Sequence, residues 1–148
     1  MPSDPKEVYR LIAEIRKAFN DLKAYSDSSN GDLDITAAMR AVMETLDGQG
    51  PMPVPEIART KNVTRQHIQQ LADALVEAGL ARFVANPAHK SSRLLTLTRM
   101  GMDAFADIRQ REAVALKTIA MTFESDDLTT TIATIGHLRE KLAALPSR

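Results

Sequence analysis

The chain has 148 residues, no cysteine and no tryptophan, and its 19 basic residues are balanced by 19 acidic ones. The lack of cysteine excludes disulfides, thiolate metal sites and thiol-based redox sensing. Scarce aromatics, no apolar run long enough to span a bilayer and an acid-bearing start unlike a secretory signal point to a mainly helical, cytoplasmic protein of one domain, 1–148.

Asp4-Pro5-Lys6-Glu7 joins an N-cap acid, a first-turn proline and a glutamate three residues on, which marks a helix start. Val8, Leu11, Ile12, Ile15, Phe19 and Leu22 come after it at steps of three and four, so a helix is expected over 5–25, ended by SDSSNGD. Thr36 caps a second helix carrying Met39, Val42, Met43 and Leu46, with Gly48 as its stop. GQGPMP reads as a loop. A short helix around 55–61 buries Ile57 and Ala58, Lys61-Asn62-Val63 turns the chain, and Thr64 caps a further helix ending at Ala78-Gly79. Helix, tight turn, helix is the helix-turn-helix pattern.

Two short strands are expected at 80–85 and 93–97, joined by NPAHKSS, which opens on a turn-forming Asn-Pro. A basic loop between two strands after a helix-turn-helix is a wing. Thr98 caps a long helix running through Met102, Phe105, Leu116, Ile119 and Phe123. Ser125-Asp126-Asp127 caps the last helix, with acids at its positive end and a stripe of Leu128, Ile132, Ile135, Leu138, Leu142 and Leu145. The fold class is therefore mainly α with a small β-hairpin wing: a winged helix-turn-helix over 34–98, flanked by terminal helices at 5–25 and 99–145.

The decamer NVTRQHIQQL at 62–71 says most about function. Val63, Ile68, Leu71 and Leu75 form an apolar stripe, and the opposite side shows Arg65, Gln66, Gln69 and Gln70. Gln suits adenine N6 and N7, and Arg suits guanine O6 and N7. Thr64 caps the helix where phosphate can approach open amides. Asp73 is expected to turn from DNA and pair with an arginine. In the wing, Lys90 and Arg93 are the expected phosphate contacts, with Ser91 and Ser92 as weaker donors, and Arg93 is the better placed of the two cations to brace its own protein. Charge supports this placement: residues 51–100 hold 7 basic and 3 acidic residues, net +4, while 1–50 and 101–148 are net negative.

The terminal stripes, with Leu11 and Ile15 at one end and Ile135, Leu138 and Leu142 at the other, need burial, either within the chain or against a second copy. A two-fold dimer is favoured, since readers of this size pair two modules on a palindrome.

The run PEIARTKNVTRQHIQQLADALVEAGL (55–80), the wing NPAHKSSR (86–93) and LTRMG (97–101) resemble the MarR (multiple antibiotic resistance regulator) family of bacterial transcription factors. That resemblance covers nearly the whole chain. It implies a homodimer held by terminal helices, a pseudo-palindromic operator on double-stranded DNA, repression, and release by a small aromatic effector entering a crevice between the DNA-binding and dimer regions. One departure stands out: the family often has an acidic-then-basic pair in the wing where this chain has His89-Lys90, which removes a salt-bridge acceptor and brings His89 near phosphate.

The sequence holds no enzymatic nucleophile, metal cluster or cofactor motif: His67, His89 and His137 lie on separate elements without metal-ligand spacing, so neither cofactor nor turnover is expected. The competing reading is a winged-helix module that binds protein, antirepressor-like, with Gln66 and Gln70 in its interface.

Overall fold

The computed structural model describes residues 1–146. Helix α1 (Pro5–Ser29) begins with the expected capping box: the Asp4 carboxylate accepts from the Lys6 amide and Glu7 reaches back to the Asp4 amide. It outruns the expected end at 25 because its last turn is tied to the start of the next helix. Asp27 accepts the Ala37 amide at 2.6 Å, and the buried Asn30 closes α1 on the Ser26 carbonyl at 3.1 Å. A 3-10 turn (Gly31–Leu33) leads to α2 (Ala37–Gln49), whose Thr36 cap accepts from Met39 at 3.2 Å. Gly48 lies inside α2 rather than ending it, and the chain leaves the helix at Gly50.

The expected loop GQGPMP contains a short strand, β1 (Met52–Pro53). Helix α3 (Val54–Lys61) begins at once. Asn62 takes a left-handed backbone (φ 54°), a conformation Asn tolerates better than most side chains. Val63 then bonds back to the Ala58 carbonyl at 3.1 Å, which closes the tight turn. Helix α4 (Arg65–Glu77) leads to β2 (Ala81–Val84) and β3 (Leu94–Leu97). The sheet is antiparallel in the order β1-β3-β2, so the wing has three strands where the sequence pointed to two. Leu95 sits at its centre, fully buried, opposite Met52 on one side and Phe83 on the other. Pro53, which has no N–H to give, lies on an edge strand.

Helix α5 (Arg99–Ala120) and α6 (Ser125–Ala143) complete the chain. Helix α5 stops short of Phe123, which is exposed, as is Met102; the residues it buries are Gly101, Phe105 and Ile108. Helix α6 starts from Glu124 without a side-chain cap, so Ser125-Asp126-Asp127 occupy its first turn rather than the cap position.

The chain divides into two compact units, the first ending at Arg109 and the second starting at Gln110. Every buried hydrophobic residue among those described lies between Ile35 and Ile108, in the first unit. Its core is drawn from α2, α3, α4, the sheet and the opening turns of α5, with Val42, Met43, Ile57, Ile68 and Leu75 sealed from water. Burying each of these aliphatic side chains stabilises by about 1.5–3 kcal/mol. No helix among the described residues is long and apolar enough to cross a membrane.

Candidate nucleic-acid interface

Helix α4 is fixed from below by Ile68, Ala72 and Leu75. The apolar stripe is narrower than the sequence suggested: Leu71 is only half-buried and Val63 is 41% exposed, in the turn outside the helix. Small Ala72 supplies the buried contact instead. On steps of 100° per residue, the side opposite Ile68, Ala72 and Leu75 carries Gln66, Gln70, Asp73 and Glu77, with Arg65 and Gln69 flanking. All six are exposed.

Thr64 caps the helix as expected, its hydroxyl accepting from the His67 amide at 3.1 Å. No acid stands in the first turn of α4, so the positive end of the helix dipole is uncompensated there. Arg65 adds a full charge at that end. The partner of Asp73 differs from the arginine expected: its carboxylate accepts from Gln69 Nε2 at 2.8 Å, one turn back on the same helix face.

The far end of α4 is held by backbone contacts. Gly79 turns the chain with φ +75°, a region that favours glycine. The Thr98 hydroxyl donates to the Gly79 carbonyl at 2.6 Å and accepts from the Gly101 amide at 3.1 Å, which is the expected cap of α5. The Thr98 amide donates to the Leu80 carbonyl at 3.0 Å. Gly101 lies so close to that carbonyl that a Cβ there would overlap its oxygen. The turn that ends α4 and the start of α5 are thus joined through main chain.

The wing loop is braced from its base. Asn86 Nδ2 donates to the Ser92 carbonyl at 2.8 Å, and its Oδ1 accepts from the Ala88 amide at 3.0 Å. The Ser92 amide bonds the His89 carbonyl at 3.2 Å. His89, Lys90 and Ser91 are exposed at the tip, while Ser92 is partly covered. Arg93 behaves as its position suggested. Its guanidinium donates to the Phe83 carbonyl at 3.2 Å and lies 5.2 Å from the Phe83 ring centroid, an arrangement that fixes the hairpin and leaves Arg93 exposed. From Ala78 to Met102 the chain holds Arg82, Lys90, Arg93 and Arg99 and no carboxylate. Arg99 meets the nearest acid beyond, Asp103, at 3.2 Å.

Behind α4, Lys61 at the end of α3 is partly covered. Burial holds its ammonium below the usual lysine range, opposed by the charge of Glu44 and aided by that of Arg40.

The brace residues Asn86 and Phe83 and the Gln69–Asp73 pair were absent from the site as read from sequence. Asn-Pro signalled a turn, but not that the Asn side chain would span it. The residues expected at the terminal seams fall in both units. In the first unit α1 buries none of its residues; Leu11 and Ile15 are half-buried, and Tyr9 and Phe19 are 68% and 66% exposed. In the second unit α6 also buries none; Ile135 and Leu138 are half-buried, Leu142 is exposed, and Ile132 is 70% exposed.

No family model matches the chain. It is 30% identical over 139 residues to the uncharacterized protein Rv2011c of Mycobacterium tuberculosis, covering 94% of each, and equally to a counterpart in Mycobacterium bovis. Among solved structures, one of Staphylococcus aureus MarR in complex with salicylate and kanamycin superposes with a TM-score of 0.83 at 13% identity, over 96% of both chains. A mutant MarR from E. coli complexed with operator DNA superposes with a TM-score of 0.75 at 23% identity, over 97% of this chain and 100% of that one.

Proposed function

This chain belongs to one family with the mycobacterial protein and has the MarR-like winged-helix fold, and we propose that it is a transcription regulator that binds double-stranded DNA as a homodimer. The observation that carries the proposal is the exposed polar face of α4, with an uncompensated helix start at one end and a cationic, acid-free wing beside it in sequence. In this function α4 enters the major groove, N-terminus first. Gln66, Gln69 and Gln70 meet base edges, and Arg65 meets guanine or phosphate. Thr64 and the open amides approach the backbone. His89, Lys90 and Ser91 at the wing tip grip the sugar-phosphate chain and fix register. Arg93 contributes mainly by holding the hairpin in shape.

The exposed apolar faces of α1 and α6 support the dimer. Each unit leaves large aliphatic or aromatic side chains in water, more than isolated surface residues account for. Leu11 and Ile15, and Ile135, Leu138 and Leu142, are assigned to contact with a second copy. Two copies then read half-sites about one helical turn apart on a pseudo-palindrome. Repression in the cytoplasm results from occupying such an operator, and the salicylate in the S. aureus MarR complex suggests a small aromatic effector as the releasing signal. The protein acts by binding rather than turnover.

Selection of bound sequences from a random DNA pool tests this directly. The expected result is enrichment of a two-fold symmetric motif, with affinity falling steeply as salt rises. Absence of enrichment, together with absence of DNA binding at low salt, refutes it.

A further inference from the structure

The outward face of α4 contains an acid that a polyanion should repel. Asp73 is exposed, on the same side as Gln66 and Gln70, and its Oδ1 accepts from Gln69 Nε2 at 2.8 Å. A primary amide has two N–H groups and one carbonyl. With one N–H held by Asp73, Gln69 keeps one N–H and its carbonyl for a ligand, and the plane of the amide is restrained before DNA arrives. One acceptor beside one donor is the complement of adenine, which offers the N6 donor and the N7 acceptor in the major groove. Guanine offers two acceptors there and does not match. Holding the side chain in advance also lowers the ordering cost that a flexible Gln meets on binding. Against this stands a carboxylate brought toward phosphates, which weakens attraction to every sequence alike.

Resting on the DNA-binding function proposed above, we infer that Asp73 is a positioning residue that sets base specificity: it presents Gln69 to adenine at one position of each half-site and lowers affinity for unrelated DNA. Asp73 touches no base itself. It acts through Gln69, so its charge and its hydrogen-bond acceptor have separable effects.

Two substitutions separate them. Asp73→Asn removes the charge but keeps a carbonyl that can accept from Gln69. Asp73→Ala removes both. The full-length protein, these two variants, Gln69→Ala and the Gln69→Ala/Asp73→Ala double variant are each put through selection from a random DNA pool. Binding is then measured on the selected operator, on its single-base variants and on unrelated duplex. Both Asp73 variants are expected to bind unrelated duplex several-fold more tightly. Asp73→Asn is expected to keep the adenine preference. Asp73→Ala should lose it at a single position per half-site by about tenfold, within the range a good side chain–base pair provides. Gln69→Ala should lose the same position, and the double variant should show no further loss there. Identical base profiles for Asp73→Asn, Asp73→Ala and the parent overturn the inference and leave the DNA-binding function standing. Failure of the parent protein to bind any duplex removes both.

Discussion

Replacing Gly101 by Ala adds one methyl group where, of the chain's glycines, an added Cβ would meet backbone most closely. The new Cβ would overlap the Leu80 carbonyl oxygen and lie 2.8 Å from its carbonyl carbon. Neither atom belongs to a flexible side chain, so relief requires α5 to move away from the Gly79–Leu80 turn. That movement stretches three bonds: Thr98 N–H to Leu80, Thr98 Oγ1 to Gly79, and Gly101 N–H to Thr98. At about 1 kcal/mol net per bond, with about 1–3 kcal/mol for overpacking and a gain of under about 1 kcal/mol for Ala in a helix, the expected net loss is about 3–5 kcal/mol. This is a large share of the ~5–15 kcal/mol that holds a typical domain, and it should lower Tm by roughly 10 °C. Thermal and urea melts followed by circular dichroism measure it. Gly136→Ala is the control: nothing lies within 4 Å of a Cβ there, so it should be neutral or slightly stabilising. A Gly101→Ala protein melting within about 2 °C of its parent would refute the argument that backbone contact joins α4 to α5.

Other expectations concern DNA and pH. Lys90→Ala should weaken binding to all sequences about equally and reduce the slope of log K against log salt by about one, read by fluorescence anisotropy at several salt concentrations. Gln66→Ala and Gln70→Ala should each relax preference at one position per half-site by about 1–3 kcal/mol, seen in competition with single-base operator variants. Asn86→Ala removes both Asn86 hydrogen bonds in the wing loop and leaves the Arg93–Phe83 brace, so amides in 87–91 should exchange faster with solvent while α4 protection is unchanged. Lys61 is held below its unfolded pKa, so its charge costs stability at neutral pH, and that cost falls away as pH rises through the folded pKa toward 10.5. Lys61→Met should therefore raise Tm at pH 7, with the difference shrinking in alkaline buffer. A constant difference across that range removes desolvation as the cause.

Elements announced by strong local chemistry were legible in the sequence. The Asp4 box, the Thr36, Thr64 and Thr98 caps and the Asn62 turn stand where short-range rules put them, because each satisfies amides or carbonyls within a few residues. Errors arose where a distant group decided. Residues 26–29 look like loop, yet the Asp27 bond to Ala37 keeps them helical. Met52-Pro53 looks like loop too, and becomes strand only because β3 offers an edge. Val63 looked like stripe, but the turn that precedes α4 directs it to water while small Ala72 fills the interior. At the interface, residue type and helix angle were enough to place Gln66 and Gln70 outward. The partner of Asp73 was not, because Gln69 and an arginine are both reasonable acceptor-seekers and only packing decides between them.

The acid-free run from Ala78 to Met102 has a thermodynamic consequence. With no carboxylate to answer them inside the run, Arg82 and Lys90 are exposed, and in salt solution such charges attract a diffuse cloud of anions. In the proposed function, the duplex that meets them carries a sheath of condensed cations. When the two meet, both clouds are shed into bulk water, and their regained freedom drives the encounter. In that function the wing converts dilution of salt into grip, whatever bases lie beneath it.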